Sequence, residues 1–144
     1  MDNKERYKDA VSHALAGFQL IEAGLKFYIG YYYDVARFIL DGKLAFKYEK
    51  SDINEAALEK LLSIFKKINS NEELIKNIRK LIHQRNHIAH KALAQLYGSK
   101  RTDSEFATLA DEYAITTTEI TKILDGLQAE HLLIHEIHKK LGIQ

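Results

Sequence analysis

The stretch "RYKDAVSHALAGFQLIEAGLKFYIGYYYDVARFI", residues 6–39, decides the fold. Its apolar residues fall at Tyr7, Val11, Ala14, Phe18, Ile21, Leu25, Tyr28, Tyr32, Val35 and Ile39, in alternating steps of four and three. Held over this length, that spacing is the seam of one long helix packed at a shallow angle on a neighbour. Ala10, Gly17 and Gly24 recur every seven residues on another face. A glycine inside a helix costs about 1 kcal/mol relative to alanine. Two on one face therefore imply either that another helix comes close there or that this helix is weakened and bent.

Working outward, the rest of the chain carries the same helical period. There is no proline and no sustained β alternation. The chain turns around "LDGK" and "YEKSD". A second helix is expected through "NEAALEKLLSIFKKI", with Leu58, Leu61, Leu62 and Phe65 inward. Ser70 followed by Glu73 has the capping-box pattern and opens a third helix, "LIKNIRKLIHQRNHIAHKALAQLY", ending near Gly98. Thr102 with Glu105 opens the last helix, which continues to about Leu141, softened by threonines 116–118 and by Gly126. The predicted fold is all-α: a four-helix up-and-down bundle with long first and last helices, one domain over residues 1–144.

Composition narrows the function classes. At 144 residues, with 46% hydrophobic and 28% charged residues, the chain reads as an ordinary globular protein. It has no cysteine, which removes disulfides and thiolate metal sites and fits a reducing compartment. The start "MDNKERYKDA" is too polar for a signal peptide, and the apolar runs are too short for a membrane span. The expectation is a cytoplasmic protein that does not use a membrane. No Gly-rich phosphate loop, nucleophile elbow or Walker-type lysine is present, so nucleotide hydrolysis has no support.

Net charge is +1, but it is unevenly spread. Between Leu74 and Thr102 there is no Asp or Glu, while Lys76, Arg79, Lys80, Arg85, Lys91, Lys100 and Arg101 are all cationic. A basic segment in an otherwise acidic frame suits a phosphate or polyanion; a solvated helix face with a charge bias is the plainer alternative. At about 100° per residue, Leu74, Ile78, Leu81, Ile82, Ala89, Ala92, Leu93 and Leu96 form one apolar stripe. Arg85 falls near its middle, Asn86 at one margin, and His90 one turn beyond Asn86, with His83 and His87 on the polar side. A buried, unpaired guanidinium costs several kcal/mol, so Arg85 must pair, for instance with Glu22, or face a cleft. In a cleft, its fixed donors and permanent charge suit a phosphate. His90 can serve as general acid or base near neutral pH, with Asn86 beside it to orient an imidazole or a phosphate. One helix supplies only one such set, and a two-fold dimer would double it.

At these residues the sequence resembles the HEPN superfamily, small all-α proteins marked by R-x4-6-H with a polar residue after the arginine. Here the motif is Arg85-Asn86-His87-Ile88-Ala89-His90, and the resemblance spans roughly residues 10–97. It implies a metal-independent endoribonuclease without cofactors, acting as a homodimer with both motifs across one cleft. His90 would act on the ribose 2′-hydroxyl or the leaving oxygen, Arg85 would stabilise charge at phosphorus, and Asn86 would position them. Arg79, Lys80, His83, His87 and Lys91 would bind RNA. Such proteins serve as toxins or in phage defence, often with an antitoxin or other regulatory partner. Toxins paired with a nucleotidyltransferase antitoxin often carry tyrosine two positions after the motif histidine; here that residue is Ala92. Many members only bind RNA or partners, so a non-catalytic binding or dimerisation module is the alternative.

Two further constellations need weighing. His83, His87 and His90, and likewise His131, His135 and His138, follow i, i+4, i+7, a spacing compatible with a metal. No H-E-x-x-H and no cysteine accompanies them, so no metal site is expected. His131 and His138 sit at apolar-stripe positions and read as interior or interface histidines. In "FYIGYYYDVARF", Tyr28 and Tyr32 lie on the seam, which leaves Tyr31 and Tyr33 as the candidates for stacking on bases.

Overall fold

A computed structural model describes residues 2–97 and 101–143, without the side chains at 93 and 95–97. Every regular element among them is helical: α1 (Asn3–Leu40), α2 (Lys50–Asn54), α3 (Leu58–Ile68), α4 (Glu72–Tyr97) and α5 (Asp103–Lys140). α1 and α5 each have 38 residues, about 57 Å at the α-helical rise. Both start on a side-chain cap. The Glu5 amide donates to Asp2, and the Glu105 amide donates to Thr102, as the sequence predicts for that start. The predicted end near Leu141 also holds, with Leu141 as the C-cap of α5. The expected stop of the third helix at Gly98 lies outside the described residues.

α1 and α5 lie side by side and run in the same direction. Asn3 donates to Asp103 at 2.7 Å. Higher up, Tyr7 meets Phe106 and Tyr113, Gly17 meets Ile120, Gly24 meets Leu127, and Tyr31 meets His135. The seven-residue glycine face is the surface they share: a Cβ on Gly17 would stand 2.6 Å from Ile120, and one on Gly24 would stand 3.3 Å from Leu127. Close approach, the first of the two expected meanings, is what these glycines serve. Gly126, read from sequence as a soft point in the last helix, does the same for α4: its Cβ would lie 2.9 Å from Leu74.

α4 runs against α5, with Leu74 at Gly126 and Lys91 near Leu109 at the opposite end. α3 runs against α4, since Glu59 meets Arg85 while Asn69 and Asn71 sit at the shared turn. Three helices thus point one way and α4 the other, whereas strict up-and-down alternation would oppose the first helix to the last. The residues 41–57 explain the difference. They descend along α1, with Tyr48 donating to Asp34 and Lys26 donating to the Asn54 carbonyl at 2.7 Å. This return leg is mostly non-helical. It contains the short α2, which the sequence reading left as turn, so α3 begins at Leu58 rather than near Asn54.

Leu58, Leu61, Leu62 and Phe65 are buried on α3 as expected. They pack with Ile21, Leu25, Ile29, Ile78 and Ile123 in one core. α4 starts one residue later than its predicted cap. Asn71, not Ser70, accepts from the Leu74 amide at 3.1 Å, because the Asn71 amide group is held by Glu130 at 3.0 Å and turns its oxygen to the helix. No helix is long and apolar enough to cross a membrane among the described residues.

Candidate functional site on the fourth helix

The inner stripe of α4 is realised by Leu74, Ile75, Ile78, Leu81, Ile82, Ile88 and Ala92, all buried. Ala89 is half-buried, and the side chains of Leu93 and Leu96 lie outside the described residues. The opposite face carries His83, Asn86, His87 and His90 together with Arg79, Lys80 and Lys91, all exposed. The candidate RNA-binding residues therefore share one solvent face. From Arg79 to Lys91 they run about 18 Å along the helix.

Arg85 stands apart from that face. Its side chain is 29% exposed, and its guanidinium lies 3.8 Å from the Glu59 carboxylate, itself 51% exposed. The partner is thus Glu59 and not Glu22, which is taken by Lys26 at 2.9 Å. A long, half-exposed pair of this kind contributes little to stability. Glu59 stands in the first turn of α3, so α4 runs on about three turns past the start of its neighbour. Asn86 and His90 lie on this overhang. α3 also opens without a side-chain cap, its N-cap being Ala57. The partial positive charge at that end adds to that of Arg85.

Helix geometry sets what the motif can do. Asn86 and His90 are one turn apart and adjoin. Arg85 and His90 are five residues apart, which places their Cα atoms about 9 Å apart and their side chains roughly 140° apart around the axis. One copy of the chain does not aim both groups at one point. A phosphate touching both must sit on the shoulder of the helix, or the two groups must come from different copies. Ala92 is 2% exposed, so the position that carries a tyrosine in some toxins is here part of the core.

Sequence reasoning missed a cavity beside this motif. Between α4 and α5 lies a space of about 230 Å³, walled by Gln84, His87, Ile88 and Lys91 from one helix and Leu109, Glu112, Tyr113 and Thr116 from the other. Gln84 Oε1 is buried and has no hydrogen-bond partner. Burial raises the Tyr113 hydroxyl above its ordinary pKa, so it stays protonated at neutral pH. The wheel does place Gln84 and Ile88 on one flank of α4, but nothing in the sequence pairs that flank with residues of α5.

The second histidine row lies far from the motif. Tyr31 packs edge-on against His131, His135 and His138, with ring centroids 5.1, 5.6 and 4.9 Å away. Burial, together with neighbouring His135, lowers the His131 pKa. His138 faces Asp34 at 3.8 Å. His131 and His138, expected as interior or interface histidines, are both half-buried, packed against Tyr31. Tyr31 and Tyr33 are not free platforms, since Tyr33 packs on Phe46 and Tyr48. Among the described residues no three His, Cys, Asp or Glu converge as a set of metal ligands. Compared with known protein families, curated proteins and solved structures, the chain finds no match.

Proposed function

We propose that this chain is a metal-independent endoribonuclease of HEPN type that works as a homodimer, in a toxin or phage-defence role. The observation that carries the reading is the exposed Asn86–His90 pair on the basic, acid-free face of α4, with Arg85 half-exposed beside it. His90 of one copy takes the proton from a ribose 2′-hydroxyl as that oxygen attacks the adjacent phosphorus. The 5′-oxygen leaves and takes a proton from His90 of the other copy, leaving a 2′,3′-cyclic phosphate and a 5′-hydroxyl. Arg85 stabilises the added negative charge at phosphorus. Asn86 holds the phosphate or the imidazole. The angle between Arg85 and His90 supports a site completed by a second copy.

Purified protein incubated with total RNA in EDTA tests this, wild type beside His90→Ala and Arg85→Ala. Cleavage that survives EDTA and is lost in both variants supports the enzyme. A second reading, a non-catalytic module that binds RNA or a partner, draws on the Arg85–Glu59 contact, which gives the arginine a structural neighbour. It predicts intact RNA in every lane and RNA binding unchanged by His90→Ala.

A further inference from the structure

We infer that the cavity between α1, the return leg and the end of α5 binds a small aromatic monoanion, a flat ring bearing one carboxylate. None of its walls belongs to α4, so this site stands or falls separately from the ribonuclease reading.

The floor of the cavity is one face of α1. Lys26, Gly30 and Asp34 follow one another at intervals of one helical turn, and all border a space of about 440 Å³, within the size range of small-molecule sites. A glycine inside a helix normally costs stability, and Gly17, Gly24 and Gly126 have a packing reason for it. Gly30 has none, since an added Cβ would meet nothing within 4 Å. What its missing side chain leaves is room over the helix backbone in the middle of the floor, where a ligand can approach closely. The walls are tied together without a ligand. Asp34 accepts from the Tyr48 hydroxyl of the return leg and lies 3.8 Å from His138 Nε2 of α5. Burial and the Asp34 carboxylate push the Tyr48 pKa up to about 12, so this donor persists at neutral pH. Phe27 borders the same space and is 63% exposed, and a flat ring laid against it takes apolar surface of both out of water.

Charge sets the sign of the ligand. Asp34 is matched by Arg37 at 3.8 Å as well as by His138. Lys26 is matched by Glu22 at 2.9 Å, and a second of its N–H bonds goes to the Asn54 carbonyl at 2.7 Å. An ammonium carries three such bonds, so one is unused. Lys50, on the return-leg wall, makes no ion pair among the described residues. One unmatched positive charge and one unused Lys26 N–H suit a single negative charge spread over two acceptor oxygens, which is a carboxylate. A cation entering the same space meets no unmatched carboxylate.

The test is isothermal titration of the full-length protein with naphthoate, beside the neutral naphthalenemethanol and the cationic naphthylmethylammonium as controls of similar size. Naphthoate is expected to bind with a Kd on the order of 0.1 mM, about tenfold more tightly than either control. Lys50→Gln, a change at an exposed position, is expected to bring naphthoate down to the affinity of naphthalenemethanol and to leave naphthalenemethanol unchanged. Gly30→Leu puts a side chain into the open space and is expected to weaken both ligands at least about tenfold. Its melting temperature is expected to be no lower than that of wild type, which separates a filled cavity from a misfolded chain. Three results overturn the inference: no binding of naphthoate below about 1 mM, a neutral or cationic ring that binds as tightly, or a naphthoate affinity unchanged in either variant.

Discussion

The glycines of α1 give a prediction in which two effects of known size oppose each other. Alanine in place of a helix-interior glycine normally stabilises by about 1 kcal/mol. At Gly30 nothing lies within 4 Å of the added Cβ, so Gly30→Ala is expected to gain that amount in full. At Gly17 the new Cβ stands 2.6 Å from Ile120 Cγ2 and 3.1 Å from its Cδ1. Ile120 is 3% exposed, and its Cγ2 branches directly from Cβ on a stiff χ1, so it cannot swing aside as a long side chain would. Relief requires α1 and α5 to separate or Ile120 to leave its rotamer, and overpacking of this kind costs roughly 1–3 kcal/mol. The propensity gain offsets about 1 kcal/mol of it, so Gly17→Ala is expected to lose about 1 kcal/mol net. The two variants then differ by about 2 kcal/mol, or about 6 °C in melting temperature for a chain of this size. Gly24→Ala and Gly126→Ala should fall between them, because the atoms they meet are the movable tips of Leu127 and Leu74. Thermal and denaturant unfolding of the four variants would decide it. Gly17→Ala as stable as Gly30→Ala would refute the close parallel packing of α1 on α5.

Other expectations concern polar contacts. Arg85→Ala should cost no more than about 1 kcal/mol in denaturant unfolding, because its pair with Glu59 is long and half-exposed; a loss above about 3 kcal/mol would mark the arginine as a structural anchor. The lowered His131 pKa means that the unfolded chain binds this proton more readily than the folded one. Its contribution to stability is present above the ordinary histidine pKa near 6.5 and is lost as pH falls through the lower folded value. His131→Phe, which keeps a ring against Tyr31, should flatten the fall in melting temperature below that pH; an unchanged slope contradicts the assignment. Tyr48→Phe removes the hydroxyl that Asp34 accepts from, and hydrogen exchange should show the return leg at residues 41–54 losing about 1–2 kcal/mol of protection while the core of α1 keeps its own.

The helical class, the two long helices and the glycine face of α1 were legible because each rests on a local period: four-and-three steps in one case, seven-residue glycine spacing in the other; that α5 is the helix packed on that face was not. The direction of packing was not legible. It depends on residues 41–57, where Tyr48 and Asn54 tie a mostly non-helical segment to Asp34 and Lys26 through contacts that leave no periodic trace. The cap of α4 was misplaced by one residue for a similar reason, since Asn71 outcompetes Ser70 only through Glu130, distant in sequence. At the site, the wheel put Asn86 at the margin of the apolar stripe and His90 just beyond it, where both prove exposed, and found Arg85 anomalous, yet gave it the wrong acidic neighbour. The cavity at Gln84 was beyond reach because its second wall is built by α5.

The central claim is that Arg85, Asn86 and His90 cleave RNA without a metal, and the chemistry of the product ends tests it most directly. A defined single-stranded RNA is incubated with the full-length protein in EDTA, and the fragment ends are identified by mass. The account predicts 2′,3′-cyclic phosphate and 5′-hydroxyl ends with wild type and intact RNA with His90→Ala. Fragments with 5′-phosphate ends, cleavage abolished by EDTA, or cleavage that persists in His90→Ala would contradict it.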